Sequence, residues 1–504
     1  MGNPSNQYSP NPPDSGWSNR ILILAIAGIL FLTMYPFRLN IHPLANGGSP
    51  FLLGKSEKSG LVDALLNVLL FVPFGFGLGE KLRERGKSIR FVLLATLAAG
   101  ALFSYAIEFT QLYIPERDSG WEDVFTNGSG SFLGGLLYVL LGGALVGWAN
   151  TVQRAVAEWM TPFRFTCSII IYFCLWFGLA ARLQKQTQLS NWKPYGVMVL
   201  GNSGAGLSPH QGQIQALQIW NHPLSDEAMA AATSAAADPG MNGPPIVEYD
   251  SSRPQGTEWI SAALATGRAP LAANAETSPL PLQRDARKLI EALQQTSHFT
   301  VHVVCTGVET PNDLWTIFRV GDGAGTLDLM VWQENGHLVS WLRTPLSASR
   351  PQLTWFIPRV FNDHGPHDIV YSYDGEILLL YLDGKKTRKE YIVGPGAGLA
   401  RLVHRLKPGE LKGYNYAFYA LVFCMAGILL GLFEPAGDSR LKSRMAVLGI
   451  LAIVLGALAL ELVLVQVTGR TISRGNFILS ILLGFAGLLW AHADQQISRR
   501  RENR

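Results

Sequence analysis

The chain has 504 residues, 48% of them hydrophobic and only 15% charged, and a mean hydropathy of +0.18, a profile that suits a membrane protein with a soluble part. The net charge of +4 is small and falls in short loops, which is a topology pattern and argues against a nucleic-acid-binding class. Of the four cysteines, Cys167, Cys174 and Cys424 lie in apolar segments and Cys305 in a polar one, so no disulfide framework or metal-type cysteine pair is visible.

Residues 1–19 are rich in Pro, Asn, Ser and Gly and read as a disordered tail. Arg20 opens an apolar run to about Phe37 that no small-residue cleavage site closes, so it is expected to stay as a membrane helix. Further spans are expected at roughly 61–79, 91–113, 123–147 and 165–182, and again near 414–433, 445–467 and 475–493, eight in all. Lys81, Arg83, Arg85, Lys87 and Arg90 share one side of this arrangement with Arg154, Arg164, Arg440, Lys442, Arg444 and the basic tail 494–504. That side is expected to be cytoplasmic. Both termini then lie inside a cell membrane, and the polar insert of residues 186–400 lies outside.

Residues 104–135 carry the chemistry. Ser104, Glu108 and Gln111 fall on one helical face inside an apolar segment. Arg117 follows in a polar loop, and Asp123 and Asn127 open the next helix. A carboxylate within a membrane costs several kcal/mol (~3 or more) unless it faces protein, water or a partner, which makes Glu108 a functional candidate. Helix packing and capping are the alternative role for the same groups. Upstream, DALLNVLLFVPFGFG places Asp63, Asn67, Phe71, Pro73 and Gly75 along one helix. This D-x3-N-x3-F-x-P-x-G helix, followed by S-x3-E-x2-Q and then R, D, N and G, resembles the VanZ-like family of small bacterial membrane proteins over about residues 20–148. The resemblance implies cell-envelope biology and a link to glycopeptide (teicoplanin) resistance, without implying a reaction.

The pattern recurs. Glu461, Arg470, Asn476, Ser480 and Gly487 are spaced as Glu108, Arg117, Asp123, Asn127 and Gly134, without a gap. This suggests a four-plus-four duplication, with residues 20–182 holding the first copy and span five, and residues 414–493 the rest of a degenerate second copy. Two copies of four spans would run in the same sense. Chance similarity between apolar helices is the competing explanation.

The insert reads as an all-β sandwich. Short strand-like runs such as TSHFTVHVVCT, TLDLMVWQEN and HDIVYSYDG are broken by Gly, Asn and Asp turns, with Asp374-Gly375 and Asp383-Gly384 as hairpin signals. HDIVYSYDGEILLLYLDGKK and GQIQALQIWNHPLSDEAMAA resemble the hairpin and closing segments of laminin-G-like (concanavalin A-like) jelly rolls, and IVEYDSS resembles their opening strand. The closing segment here comes first, so a circular permutation is expected, with two separate sandwich fragments as the alternative. Residues 232–285 read as a surface excursion. The resemblance implies glycan or protein binding, sometimes through calcium. Asp322, Asp328, Asp363 and Asp374 are oxygen donors of the right type, although turn roles are commoner for them and no compact calcium loop is present. Trp315, Trp332, Trp341 and Trp355 are candidate sugar platforms, core being the commoner place for a strand tryptophan. The pairs His298/His302 and His364/His367 are weak metal candidates, and no cofactor is expected.

Three functions fit these residues. The first is an envelope protein whose sandwich recognises an extracytoplasmic glycan or a cell-wall precursor. The second is a membrane enzyme on a lipid-linked saccharide or phospholipid, with Glu108 as acid or base, Arg117 on a phosphate or carboxylate and Asp123 orienting a nucleophile. The third is a transporter or flippase with Glu108 and Glu461 lining one path. Membrane lipid is a partner in each.

Overall fold

The computed structural model describes residues 17–34, 61–114, 120–200, 212–225, 228–229, 244–250, 282–308, 314–321, 327–347, 354–363, 365–387, 391–402, 406, 410–433 and 439–502. In chain order its helices are Trp17–Met34 (α1), Leu61–Glu84 (α2), Ile89–Gln111 (α3), Trp121–Trp159 (α4), Pro162–Gln184 (α5), Arg287–Thr296 (α6) and Pro395–Arg401 (α7). They continue with Leu411–Leu432 (α8), Ser439–Thr468 (α9) and Arg474–Glu502 (α10). Eight of these, all but α6 and α7, are long and apolar enough to cross a membrane. The chain is a multi-pass membrane protein with a sheet-rich insert between α5 and α8. Helix α1 begins at Trp17, inside the stretch read from sequence as a tail.

The chain divides into two compact units: Met1–Cys167 with Gly431–Lys442 and Leu489–Arg504, and Ser168–Leu430 with Ser443–Leu488. In the first, α2 and α4 meet backbone to backbone. A Cβ on Gly75 would lie 1.9 Å from the Ser131 carbonyl oxygen, and one on Gly134 would lie 2.1 Å from that of Val72. Small residues are what allow membrane helices to approach so closely. Phe71, Phe74 and Phe103 fill the space beside this seam. Ser88 caps α3 by accepting the Phe91 N–H.

The second unit holds the insert. Its strands are Val197–Leu200 (β1), Gln213–Trp220 (β2), Val247–Asp250 (β3), Leu282–Asp285 (β4), Phe299–Thr306 (β5), Leu314–Gly321 (β6) and Leu327–Glu334 (β7). They continue with His337–Leu342 (β8), Thr354–Ile357 (β9), Pro366–Tyr373 (β10), Ile377–Leu382 (β11), Lys385–Lys386 (β12) and Tyr391–Ile392 (β13). One sheet runs β4-β1-β6-β7-β8-β9; the other runs β12-β11-β10-β5-β2-β3, with β13 beside β11. All pairings are antiparallel. Alternate residues of both sheets, among them Val301, Val303, Val331, Leu338, Ile369, Tyr371 and Tyr373, form a single core. Val370 on the opposite face of β10 is buried as well, under Trp220, Leu224 and Met229.

Two details differ from the sequence reading. The insert is not purely β: α6 is amphipathic and lays Leu289, Ile290 and Leu293 on the core. The stretch expected to be a surface excursion contributes β3 and the edge strand β4, while residues 251–281 lie outside the described ones.

Within this unit the sandwich is bonded to its flanking helices. The Gly375 carbonyl accepts from Gln184 Nε2 (3.2 Å) and Thr187 Oγ1 (2.6 Å), and the Tyr373 hydroxyl donates to the Thr187 carbonyl (2.6 Å). His298 Nε2 meets the Thr468 carbonyl at 2.6 Å. Asn415 at the start of α8 bonds both Gly396 N and the Ile392 carbonyl.

Candidate functional site

In the first unit the polar residues of three helices converge. Asn67 from α2 donates to Asp123 Oδ1 on α4 (2.8 Å). Asn127, one turn further on, donates to Ser104 Oγ on α3 (2.8 Å), and Ser104 reaches the Asp123 carbonyl (3.4 Å). Glu108 is 2% exposed, and its Oε2 accepts the Gly120 N–H at the head of α4 (3.0 Å). The sequence spacing accounts for the convergence: Ser104 and Glu108 share a face of α3, and Asp123 and Asn127 share one of α4. Gln111 turns elsewhere and donates to the Thr33 carbonyl of α1 (2.9 Å). Asp63 is exposed on the first turn of α2. Arg117 lies outside the described residues.

The second unit repeats this layout with different groups. Glu461, 1% exposed on α9, accepts the Ser473 N–H at the head of α10 (3.0 Å), twelve residues ahead, as Glu108 does with Gly120. A Cβ on Gly427 would lie 2.0 Å from the Gly484 carbonyl oxygen, and one on Gly487 would lie 2.1 Å from that of Cys424. These contacts match Gly75 with Ser131 and Gly134 with Val72, position for position. The tight pair Gly100–Ser131 becomes Ile453–Gly484: the bulk has moved to the other helix and the gap is still filled. Where α2 carries Pro73, α8 carries the π-helical turn Ala420–Cys424. By the same register, Tyr419 stands for Asn67, and its hydroxyl reaches Glu461 Oε1 (3.4 Å).

Arg470, which corresponds to Arg117 by sequence register, reaches beyond the helix bundle. Its Nη1 pairs with Glu461 Oε2 (3.0 Å) and donates to the Thr471 carbonyl (2.8 Å), while its Nε contacts the carboxylate of Glu376. Glu376 comes from the β10–β11 turn of the sandwich and is 1% exposed. Burial pushes its carboxyl up to about 7, against the pull of Arg470. Of the residues expected in this copy, Glu461 and Arg470 come together. The backbone N–H of Asn476 takes the Ser473 hydroxyl at the start of α10 (3.3 Å), and Ser480 Oγ donates to the Asn476 carbonyl (2.8 Å). Glu376 and Tyr419 were not visible from sequence. A glutamate after an Asp-Gly turn carries no local mark of its partner in the α9–α10 connection far along the chain.

On the sandwich the candidate tryptophans divide by the parity of their strands. Trp315 and Trp355, each 2% exposed, belong to the core. Trp332 and Trp341 are half-buried on the opposite face of β7 and β8. Trp332 lies in register with Val339 and Phe356, whose ring packs at a tilt against His337 (centroids 4.7 Å). Glu334 takes the Trp332 indole N–H (3.2 Å).

Asp328, Asp363 and Asp374 have separate partners. Asp328 pairs with Arg343 (3.1 Å). Asp363 and Asp383 hold the two ring nitrogens of His367 (2.8 and 3.0 Å). Asp374, at the other end of β10, accepts from Glu376 N and Ile377 N. His302 bonds Asp368 (2.9 Å) and His298 bonds Thr468; Asp322 and His364 lie outside the described residues.

Residues 20–142 match the family model described as VanZ/LLP1. The match covers α1 to α3 and most of α4, and so includes the Asn67–Asp123–Ser104–Asn127 network and Glu108. Neither a curated protein nor a solved structure matches the chain.

Proposed function

We propose that the VanZ-like domain at residues 20–142 is the ligand-handling part of a bacterial cell-envelope protein, and that the sandwich recognises the glycan portion of the same class of molecule. The observation that carries this reading is Glu108: a buried carboxylate in an apolar helix, held by a backbone N–H and set beside a four-residue network joining three helices. Intramembrane acids held this way mark binding or reaction sites. The ligand is a cell-wall or lipid-linked precursor, and a link to glycopeptide resistance follows from altered handling of it. In the cytoplasmic membrane the basic loops lie inside with both termini, and the sandwich faces out. Its laminin-G-like identity, with permuted order, is supported by β2 and β3 pairing side by side at one edge of a single sheet. The outer row of Trp332, Trp341 and Phe356 offers flat rings for a sugar.

Enzymatic use of the same cluster is the second reading. It is favoured over transport because Glu461 is tied to Arg470, which leaves no second acid for a symmetric path.

Native mass spectrometry of the detergent-purified full chain tests the proposal. Wild type is expected to retain a saccharide-bearing lipid or a phospholipid that Glu108→Gln loses at equal expression. A ligand retained equally by both would remove Glu108 from the site.

A further inference from the structure

The sandwich is unfinished along one side. Strand β9 has four residues and ends its sheet, while β13 has two and stands beside β11 in the other sheet. Between these short strands lies a cavity of about 150 Å³. Its walls are Trp355 and Ile357 from β9, Tyr371 from β10, Leu378 and Leu380 from β11, and Tyr391 from β13. Strand alternation builds this wall: Trp355, Tyr371, Leu378 and Leu380 are inward-facing residues of their strands and belong to the core. Trp355 and Tyr391 meet edge to face, with ring centroids 5.2 Å apart. The cavity is partly open, and Phe356 and Pro358, which also line it, are exposed.

Two properties of the cavity select a ligand. The first is its size and surface. An apolar cavity of this volume accommodates a molecule about the size of benzene and is a poor place for water, which needs several polar partners. The surface here is almost wholly apolar, and no lining side chain carries a charge at neutral pH. A charged group would be desolvated there without a counter-charge. A sugar would give up the water on several hydroxyls with too few partners to replace it.

The second property is an unanswered donor. Trp355 is 2% exposed, and its indole N–H is buried without a hydrogen-bond partner. Trp192, equally deep in the core, gives its own N–H to the Arg343 carbonyl (2.7 Å). A buried donor left unmet is costly, and an acceptor brought by a ligand would remove that cost.

We propose that this inter-sheet cavity binds a small neutral apolar molecule, a single ring bearing one oxygen acceptor, whose oxygen takes the Trp355 indole N–H. The site goes beyond the glycan and membrane readings and stands independently of the Glu108 cluster.

The test uses the full chain in nanodiscs of phosphatidylcholine, with the fluorine resonance of the probe as the readout. The probes are para-fluoroacetophenone and its isostere para-fluoro-α-methylstyrene, in which a methylene group replaces the carbonyl oxygen. Partition into lipid does not saturate, so binding is the part that excess unlabelled acetophenone displaces. Wild type is expected to bind the ketone displaceably. Leu380→Phe fills the cavity and is expected to abolish that binding, with a thermal melt confirming the fold; Leu378→Phe serves if it does not fold. Trp355→Phe keeps an aromatic wall and removes the donor. It is expected to weaken the ketone about fivefold or more and the alkene less than about twofold. Displaceable binding that survives cavity filling would place the site elsewhere and overturn the proposal, as would wild type that binds neither probe displaceably. Equal weakening of ketone and alkene in Trp355→Phe would also overturn it, because the oxygen would not lie on the indole.

Discussion

Two stretches of this chain share their helix-seam contacts and an acid bonded to the head of the next helix, and they differ in what surrounds that acid. Beside Glu108, among the described residues, Asn67, Ser104, Asp123 and Asn127 bond one another. Around Glu461 the equivalent space is closed by Tyr419, Arg470 and a carboxylate from another domain. The comparison teaches that the same buried acid can be held within a helix bundle alone or tied through an arginine to a group from the sandwich. Buried charge of this kind survives because Arg470 offsets Glu461, while burial favours the protonated form of Glu376. The first stretch is the one that matches the VanZ/LLP1 family model, and the second is the one that carries the sandwich.

The largest expected effect breaks the joint. Arg470→Met leaves Glu376 and Glu461 facing each other without a counter-charge. It is expected to lower stability by about 3–5 kcal/mol, read as a fall in melting temperature of the full chain. Glu108→Gln keeps an acceptor for the Gly120 N–H and is expected to cost far less, about 1 kcal/mol. Equal losses in the two variants would erase the distinction between site and joint.

A smaller effect sharpens the claim that the two stretches are copies. Gly100→Ile drives a branched side chain into Ser131 and is expected to cost about 1–3 kcal/mol. Adding Ser131→Gly recreates the Ile453–Gly484 pair and is expected to recover most of it, a coupling of about 1 kcal/mol or more in a double-mutant cycle. Additive losses would mean that the matched glycine contacts are coincidence.

The smallest effect is on pH dependence. Burial raises the Glu376 carboxyl from its ordinary 4.5 to about 7, with Asp374 and Glu461 acting in the same direction and Arg470 against them. A raised acid binds its proton more tightly in the folded state. Its contribution is therefore full below about 4.5 and is lost as pH climbs through about 7. The melting temperature is expected to fall across that window in wild type and to stay flatter in Glu376→Gln. A wild-type profile that rises over the same range would place the ionised form, and with it the arginine, in control.

Much of the layout was legible in the sequence because it rests on local rules. Eight runs of apolar residues gave the eight spans, and the matched spacing of Glu461 and Arg470 with Glu108 and Arg117 suggested a repeat. The cluster of Asn67, Ser104, Asp123 and Asn127 followed from helical periodicity and a family pattern. What escaped depends on tertiary placement. Helix α6 is ten residues long among strands, and its stripe of Leu289, Ile290 and Leu293 is short. Trp315 and Trp332 differ in location only by which face their strands present, and a bulge between Thr316 and Phe318 shifts that register. Glu376 reads as a turn residue until the fold brings it to Arg470.

The most direct test of the account sets Glu108→Gln beside Glu461→Gln in the full-length protein. Co-purifying lipid is measured by native mass spectrometry and melting temperature in the same preparations. The account predicts that Glu108→Gln loses the ligand and melts near wild type, while Glu461→Gln keeps the ligand and melts well below it. Ligand lost from Glu461→Gln and kept by Glu108→Gln would contradict it.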